Sequence, residues 1–559
     1  MSLIFSQIRL FLRPQEPPNP NPNPAARSHP NPESFLDMGE AGSAYRSEMQ
    51  GIFAIIGVVA GFCFSIACII VGGCIFHHSG RISDVVTEPG SWRQSTFEAN
   101  RTPYTGLIAI LPNARLPAEV LGLLLSFVVT VFTESIGFVH SVALKSTLAS
   151  DAQLAFNTNP RLFSLMSFAR WRHPNGPVFN ALMGALLTLS YSTASLSFIP
   201  VLSAVSNDGE PSTWWSTCVF GAPITILGVT IFLQAAIATY SIRTVTVLTW
   251  SSSPFDTAVA LLRNGLVTRR TGRNMHTVID TDDELAPARK HQPSAWQSHP
   301  VVWKVVICLW LLCFACAIWG GWMYAIWVPL ERAEQLDGSQ LLGLSGTGLH
   351  SWSLIPDSKS VILNLIYNVD PAGGISIWPA IFALFAAAQG SLTFGLHCVE
   401  LNVNIMRDEL QWRQASTPSG MAMSRNPIIA VLGSWPNVML LVAKPTLHWL
   451  FGLAMAMRAT ANPQNDPLLT ISIVNRPQQI WNLSGALLIV AIALTCLALY
   501  RPRGVQPATF GHIQTIANVI DVWAPRIWWG YKVTNESIGH AGTSDWPLPP
   551  MDFRPSKIV

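Results

Sequence analysis

Eight stretches of this chain run for about twenty residues or more with hardly a charge among them, the length an α-helix needs to cross the hydrocarbon of a bilayer. Six qualify at once: Gly51–Phe76, Glu119–His140, Val178–Pro200, Cys218–Ile242, Val301–Val328 and Ile375–Val399. Ile480–Tyr500 is a seventh. Val438–Met457 is the least apolar, because it holds Lys444, Pro445 and His448, and an interfacial or re-entrant course is the alternative there. The expected fold class is an all-α polytopic membrane protein of about eight transmembrane helices. Composition agrees. Of the 559 residues 50% are hydrophobic and 12% charged, against roughly 25% charged in a soluble domain. A disordered chain, a coiled coil, a disulfide-stapled secreted module and most soluble enzymes are excluded.

An even number of spans puts both termini on one side, and the Lys/Arg count selects the side. With both termini cytoplasmic, the inner segments carry three times as many Lys and Arg as the outer ones. Asn100-Arg101-Thr102 is then a glycosylation sequon in the first outer loop. Trp214, Trp215, Trp303, Trp327, Trp378 and Trp481 flank spans, where an indole can put its ring in lipid and its N–H among headgroups. The length of the first run favours the thicker plasma membrane. All nine cysteines lie in or beside apolar runs, so no disulfide framework is indicated. Cys313-x-x-Cys316 has redox spacing but falls inside a span, where two small packing residues are expected. A net charge of +3 without a basic, aromatic-interleaved stripe argues against nucleic acid as a partner.

The polar segments divide the chain. Residues 1–48 form a Pro/Asn-rich tail, expected to be disordered. Residues 49–243 and 301–500 each hold four spans. Residues 244–300 join them as a linker that is polar, carries both charge signs over 268–300 and is expected to be flexible there. The C-terminal tail, 501–559, has apolar residues at Ile513, Ile516, Ala517 and Ile520, which predicts an amphipathic helix over Phe510–Val522. Docking on the protein's own cytoplasmic face or on lipid is expected of it, ahead of recruiting a cytoplasmic protein.

The most informative feature is self-similarity. Ala67-Cys68-Ile69-Ile70-Val71-Gly72-Gly73 in the first span matches Ala315-Cys316-Ala317-Ile318-Trp319-Gly320-Gly321 in the fifth. The second and sixth spans both end in His-x-Val-x-Leu-x-x-x-(Leu/Ile)-x-x-Asp, from His140 to Asp151 and from His397 to Asp408. Asn159-Pro160 and Asn426-Pro427 follow, with Leu165, Ser167 and Phe168 matching Leu432, Ser434 and Trp435. A proline then opens the third and seventh spans, Pro177 and Pro445. Four matches in one order predict a duplication. Each half has an even number of spans, so the halves would be parallel repeats about an axis along the membrane normal. The motif places His, Leu, Leu/Ile and Asp on one helical face, so the second and sixth helices should extend past the bilayer into the cytoplasm. The paired glycines permit close helix approach or a kink.

Ionisable residues inside spans are the default site candidates. Glu134 lies well inside the second span; His140 and His397 sit at equivalent inner ends; Glu400 is one turn beyond His397. Lys444 and His448 share a face of the seventh span and can partner Glu134. Structural hydrogen bonding is the plain reading of the histidines, a proton or ion relay the sharper one. Metal or haem ligation is the least favoured, and no cofactor is implied. Walker A, HExxH, GxSxG, GxGxxG, EF-hand and TVGYG patterns are absent, which argues against an ATP-driven pump and the common hydrolases and dehydrogenases.

The segments FGHIQTIANVIDVWAPRIWWGYK (Phe510–Lys532) with HAGTS (His540–Ser544), and HCVELNVNIMRDELQWRQA (His397–Ala415), resemble multi-pass integral membrane proteins of filamentous fungi. The resemblance spans most of the chain after the N-terminal tail. It implies a fungal membrane origin; that family has no established activity and implies no site residues. The residues themselves support a solute or ion translocator with a pathway between two repeats. The alternative is a non-transporting scaffold or sensor acting through its cytoplasmic helix extensions and tail. An enzyme is least favoured.

Overall fold

A computed structural model describes residues 32–77, 79–80, 104–105, 107–111, 116–158, 173–207, 210–280, 289–337, 378–422, 434–462, 466–524, 526–535 and 538–549. The fold is mostly helical. Its long helices are α1 (Pro32–His77), α2 (Leu116–Ser150), α3 (Pro177–Ser197), α4 (Gly221–Arg243), α7 (Val302–Asp337), α8 (Trp378–Arg413), α9 (Trp435–Ala454) and α10 (Pro477–Leu499). Shorter helices are α5 (Pro254–Arg263), α6 (Ala295–Ser298) and α11 (Ile513–Val519). Among the described residues six helices are long and apolar enough to cross a membrane: α1, α2, α4, α7, α8 and α10. Their outward faces are what a bilayer requires, with Ile318 and Ile489 each 70% exposed. This is the surface of an integral membrane protein.

α3 and α9 are more polar for a physical reason. α3 lies among α2, α4 and α8, and α9 among α2, α8 and α10. A helix enclosed by protein can carry hydroxyls on most faces. Those of α3 bond back to their own helix: Ser190 to Leu186 O, Ser192 to Thr188 O and Ser197 to Thr193 O, at 2.8–2.9 Å. Elsewhere α1 packs on α4, and α7 on α10.

Strands add to the expected all-α fold. α3 runs into β4 (Phe198–Asn207), which turns into β5 (Glu210–Phe220) and leads to α4. α9 runs likewise into β7 (Met455–Asn462), then β8 (Asp466–Asn475) and α10. With β3 (Leu107–Leu111) these form one sheet, in the order β3-β5-β4-β7-β8, while the short strands β1 (Ser79–Gly80), β2 (Tyr104–Thr105) and β6 (Met421–Ala422) lie outside it. β4 and β7 pair in parallel, Val201 opposite Ala459 and Ser203 opposite Ala461. Pro200 precedes that register, so its missing N–H costs no bond to β7. The segments Phe198–Pro200, Cys218–Phe220 and Met455–Met457, expected as span ends, are therefore strand. A buried strand and a helix end are both continuous apolar runs, and periodicity cannot separate them.

The opposite end of the bundle, the linker end, has its own core. α5, α11 and the antiparallel pair β9 (Arg526–Asn535) and β10 (Ile538–Ser544) enclose Phe255, Trp412, Ile513, Ile516, Ile527 and Trp529. The helix expected over Phe510–Val522 is shorter, Ile513–Val519, and its apolar stripe of Ile513, Ile516, Ala517 and Ile520 is buried. The described part of the tail is thus folded on the body. The described parts of the expected flexible linker, 268–280 and 289–300, are also packed: Asn274 Nδ2 donates to Ala541 O at 2.8 Å, and Gln292 Nε2 to Gly504 O at 3.0 Å. Its polar groups find partners more than 200 residues away, which no local pattern reveals. Helix also begins at Pro32, inside the expected disordered tail 1–48, because no proline follows Pro32 to stop it. Residues 1–31, Asn100, the Asn159-Pro160 and Asn426-Pro427 pairs, Leu165, Ser167, Phe168 and Leu432 lie outside the described residues.

Two histidines share this end. His299 and His512 rest on the ring of Phe156, with centroids at 4.2 and 4.9 Å. Burial pushes both imidazoles down to about 4. His512 also caps α11, its Nδ1 accepting from Thr515 N.

Candidate functional site

A cavity of about 310 Å³ opens between α2, α8 and α9. α2 supplies Glu134, Ser141 and Lys145; α8 supplies His397, Glu400, Asn404 and Arg407; α9 supplies Asn437 and Lys444. Asn157, Thr158 and Ser252 line it at the linker end. The cavity therefore lies where helices from before and after the 244–300 segment meet.

Its principal polar group is an ion triad. Lys444 Nζ donates to Glu134 Oε1 at 2.5 Å and to Glu400 Oε2 at 2.8 Å. The lysine side chain is 6% exposed, the carboxylates 32% and 29%. The ammonium is thus enclosed, while both carboxylates reach the cavity. Pro445, expected to open this span, instead lies inside α9, which opens at Trp435-Pro436; there it deletes the backbone bond to Leu441, a cavity-lining residue. His397 Nδ1 stands 3.6 Å from Glu400 Oε2. His140 is fully buried and does not line the cavity, so the two equivalent histidines have different surroundings.

One turn deeper along α9, His448 stacks on Tyr191 of α3, with centroids 3.6 Å apart and planes at 9°. Its Nδ1 lies 3.0 Å from Gln389 Nε2 of α8. The Tyr191 hydroxyl donates to Thr130 Oγ1 of α2 at 3.1 Å. Gln389 Oε1 and Thr188 Oγ1 are both buried without a hydrogen-bond partner. Tyr191 and Gln389 were not signalled by the sequence, since neither is ionised at neutral pH nor part of the repeated motif.

At the linker end Asp408, 1% exposed, accepts from Asn157 Nδ2 at 3.0 Å and Arg407 Nη2 at 2.9 Å. Asn157 in turn accepts from Lys145 Nζ at 3.1 Å. Gly511 approaches the same carboxylate with φ +73, and a Cβ there would lie 2.9 Å from Asp408 Oδ2. Glu409, fully buried, accepts from Thr509 N at 2.8 Å, Phe510 N at 2.9 Å and Arg413 Nε at 2.7 Å. Asp151 has a different setting, on the turn that closes α2, where its N–H donates to Thr147 O. Glu409 therefore holds the C-terminal segment against α8, while Asp408 holds Asn157, whose own N–H donates to Gly511 O.

The paired glycines behave alike. A Cβ on Gly72 would lie 2.5 Å from Thr225 N on α4, and one on Gly320 would run into the indole of Trp481 on α10. Gly73 and Gly321 face open space. Cys313 Sγ and Cys316 Sγ reach Ser484 O and Ile480 O of α10, at 3.6 and 3.5 Å. Among the described residues no three His, Cys, Asp or Glu side chains converge as metal ligands. Comparison with protein-family models, curated proteins and solved structures gave no match.

Proposed function

We propose that this protein is a solute or ion translocator built from two parallel four-helix repeats, with its pathway between them. The observation that carries this reading is the triad of Glu134, Lys444 and Glu400 at the inner wall of a cavity formed by helices of both halves. Charges inside a bilayer are costly, and where they persist they commonly mark a substrate or ion path. The eight-span reading adds α3 and α9 to the six apolar helices. Both are long enough to cross, and both join helices that do.

The repeat reading draws support from equivalent packing. α1 lies on α4 as α7 lies on α10; α2 meets α9 as α8 meets α3. Each half sends one hairpin from its third helix, and β4 and β7 run side by side in the same direction, as an axis along the membrane normal requires. These two helix contacts between the halves differ in chemistry. α2 and α9 bring Glu134 to Lys444, whereas α8 and α3 bring Gly390 to Thr188. The pathway therefore belongs to the α2–α9 side. The Lys/Arg excess supports a cytoplasmic side for the linker end and both termini, and the long first span favours the plasma membrane.

The test is flux in proteoliposomes and thermal stabilisation in nanodiscs across ions and small metabolites. Glu134→Gln should abolish a flux or ligand-induced stabilisation seen in the wild type. If Glu134→Gln and His397→Ala both leave them untouched, the translocator reading fails. Deletion of 504–559 tests the scaffold alternative, which requires loss of a partner with the fold intact.

A further inference from the structure

We infer that the cavity binds a solute bearing a primary ammonium group, which Glu134 and Glu400 hold in exchange for the ammonium of Lys444. The inference deepens the translocator reading by naming the head group of its solute. It is tested by binding alone, so a protein that binds such a solute without moving it would sink that reading and leave this one.

Three observations carry it. The first is the occupant already present. Lys444 is itself a primary ammonium on an alkyl stem, and its nitrogen is held by two carboxylates from two different helices at 2.5 and 2.8 Å. The site has the donor–acceptor geometry for that group. The second is access. All three side chains line the cavity, and both carboxylates are about one-third exposed while the lysine is 6% exposed. A solute entering from the cavity meets acceptors, and Lys444, a flexible chain, can yield. The third lies deeper. An ammonium donates three hydrogen bonds, and beyond Lys444 the interface of α3, α8 and α9 holds two buried oxygens without a donor, Gln389 Oε1 and Thr188 Oγ1. These are the acceptors that a desolvated ammonium, or water travelling with it, would satisfy. The cationic residues nearer the linker end do not close the site to a cation. Arg407 is paired with Asp408, and Lys145 is held by Asn157 and Ser251 O.

The experiment is chemical rescue in nanodiscs, read as thermal stability at constant ionic strength in N-methylglucamine chloride. Lys444→Ala should melt lower than the wild type and recover when butylammonium chloride replaces the background salt. The wild type should respond to the same salt only at about tenfold higher concentration, because Lys444 competes. Glu134→Gln/Glu400→Gln should show no response, with or without Lys444→Ala. Should Lys444→Ala not assemble, Lys444→Met with methylammonium replaces it, since methionine keeps the stem and leaves the carboxylates free. The proposal is overturned by absence of rescue, by rescue that survives loss of both carboxylates, by a silent wild type, or by potassium chloride rescuing as well as the amine.

Discussion

Removing the Glu409 carboxylate should release the C-terminal segment while leaving the helical bundle standing. Glu409 is fully buried and its Oε2 is the acceptor for two consecutive backbone amides, Thr509 and Phe510, as well as the Thr509 hydroxyl. Its Oε1 faces Arg413, which also donates to Gln506 O. A hydrogen bond to a charged group contributes about 1.5–3 kcal/mol, and a buried donor left unpaired costs a comparable amount. Glu409→Ala removes the acceptor for two amides and a guanidinium at once. With the guanidinium rehydrated on opening, the two amide bonds at the low end of that range give a local loss of about 3–4 kcal/mol. Because the long helices pack on one another, α1 on α4 and α7 on α10, without help from this segment, the loss should appear as local opening rather than global unfolding. Three kcal/mol corresponds to roughly a hundredfold change in an equilibrium constant. Hydrogen exchange read by mass spectrometry should therefore accelerate by about two orders of magnitude in peptides covering 505–524, with peptides of α1 and α10 unchanged. Glu409→Gln should lie between, since an amide keeps one acceptor but turns a donor toward Arg413. Exchange in 505–524 that is unchanged in Glu409→Ala would refute the argument that this carboxylate anchors the tail.

Other outcomes follow from the same geometry. Gly72→Ala and Gly320→Ala should lower the melting temperature, because each Cβ meets α4 or α10, whereas Gly73→Ala and Gly321→Ala should be neutral; equal effects within a pair would sink the close-approach account. Lys444→Met should destabilise by about 2–3 kcal/mol, below the 3–5 kcal/mol typical of a broken buried pair because the carboxylates are partly hydrated. Adding Glu134→Gln and Glu400→Gln should recover most of that, and strict additivity in the cycle would exclude the triad as a coupled unit. Stability should also fall as pH drops from about 6.5 toward 4. His299 and His512 have folded values depressed to about 4, so the unfolded chain binds protons first and the neutral rings favour the fold only above that window. His512→Asn keeps an N-cap for α11 and should remove about half of the slope, measured as melting temperature against pH.

Much of the fold was legible because a bilayer imposes a length. Each apolar run falls mainly on a long helix, including α9 with its Lys444, Pro445 and His448, though three of the runs end or begin in strand. The candidate residues Glu134, Glu400 and Lys444 could be picked out because charge is rare within spans. What escaped was long-range. The hairpins β4–β5 and β7–β8 hid at the ends of apolar runs, where a buried strand has no distinct period. The order of residues 264–280 and 501–524 depends on partners such as Asn518 for Arg270 and Glu409 for Phe510, far apart in the chain. Tyr191, under His448, reads from sequence as an ordinary aromatic in a serine-rich helix.

The parallel pairing of β4 with β7 has a consequence for biogenesis. Val201 must wait until Ala459 has been synthesised before that ladder can form. During that interval the ribosome delivers four further long helices, while the first hairpin stands with one edge bare. Such an edge invites pairing with any other strand nearby, including the same hairpin of a neighbouring nascent chain. Completion of β7 closes the edge, so a chain truncated before β7 keeps the β4 edge bare.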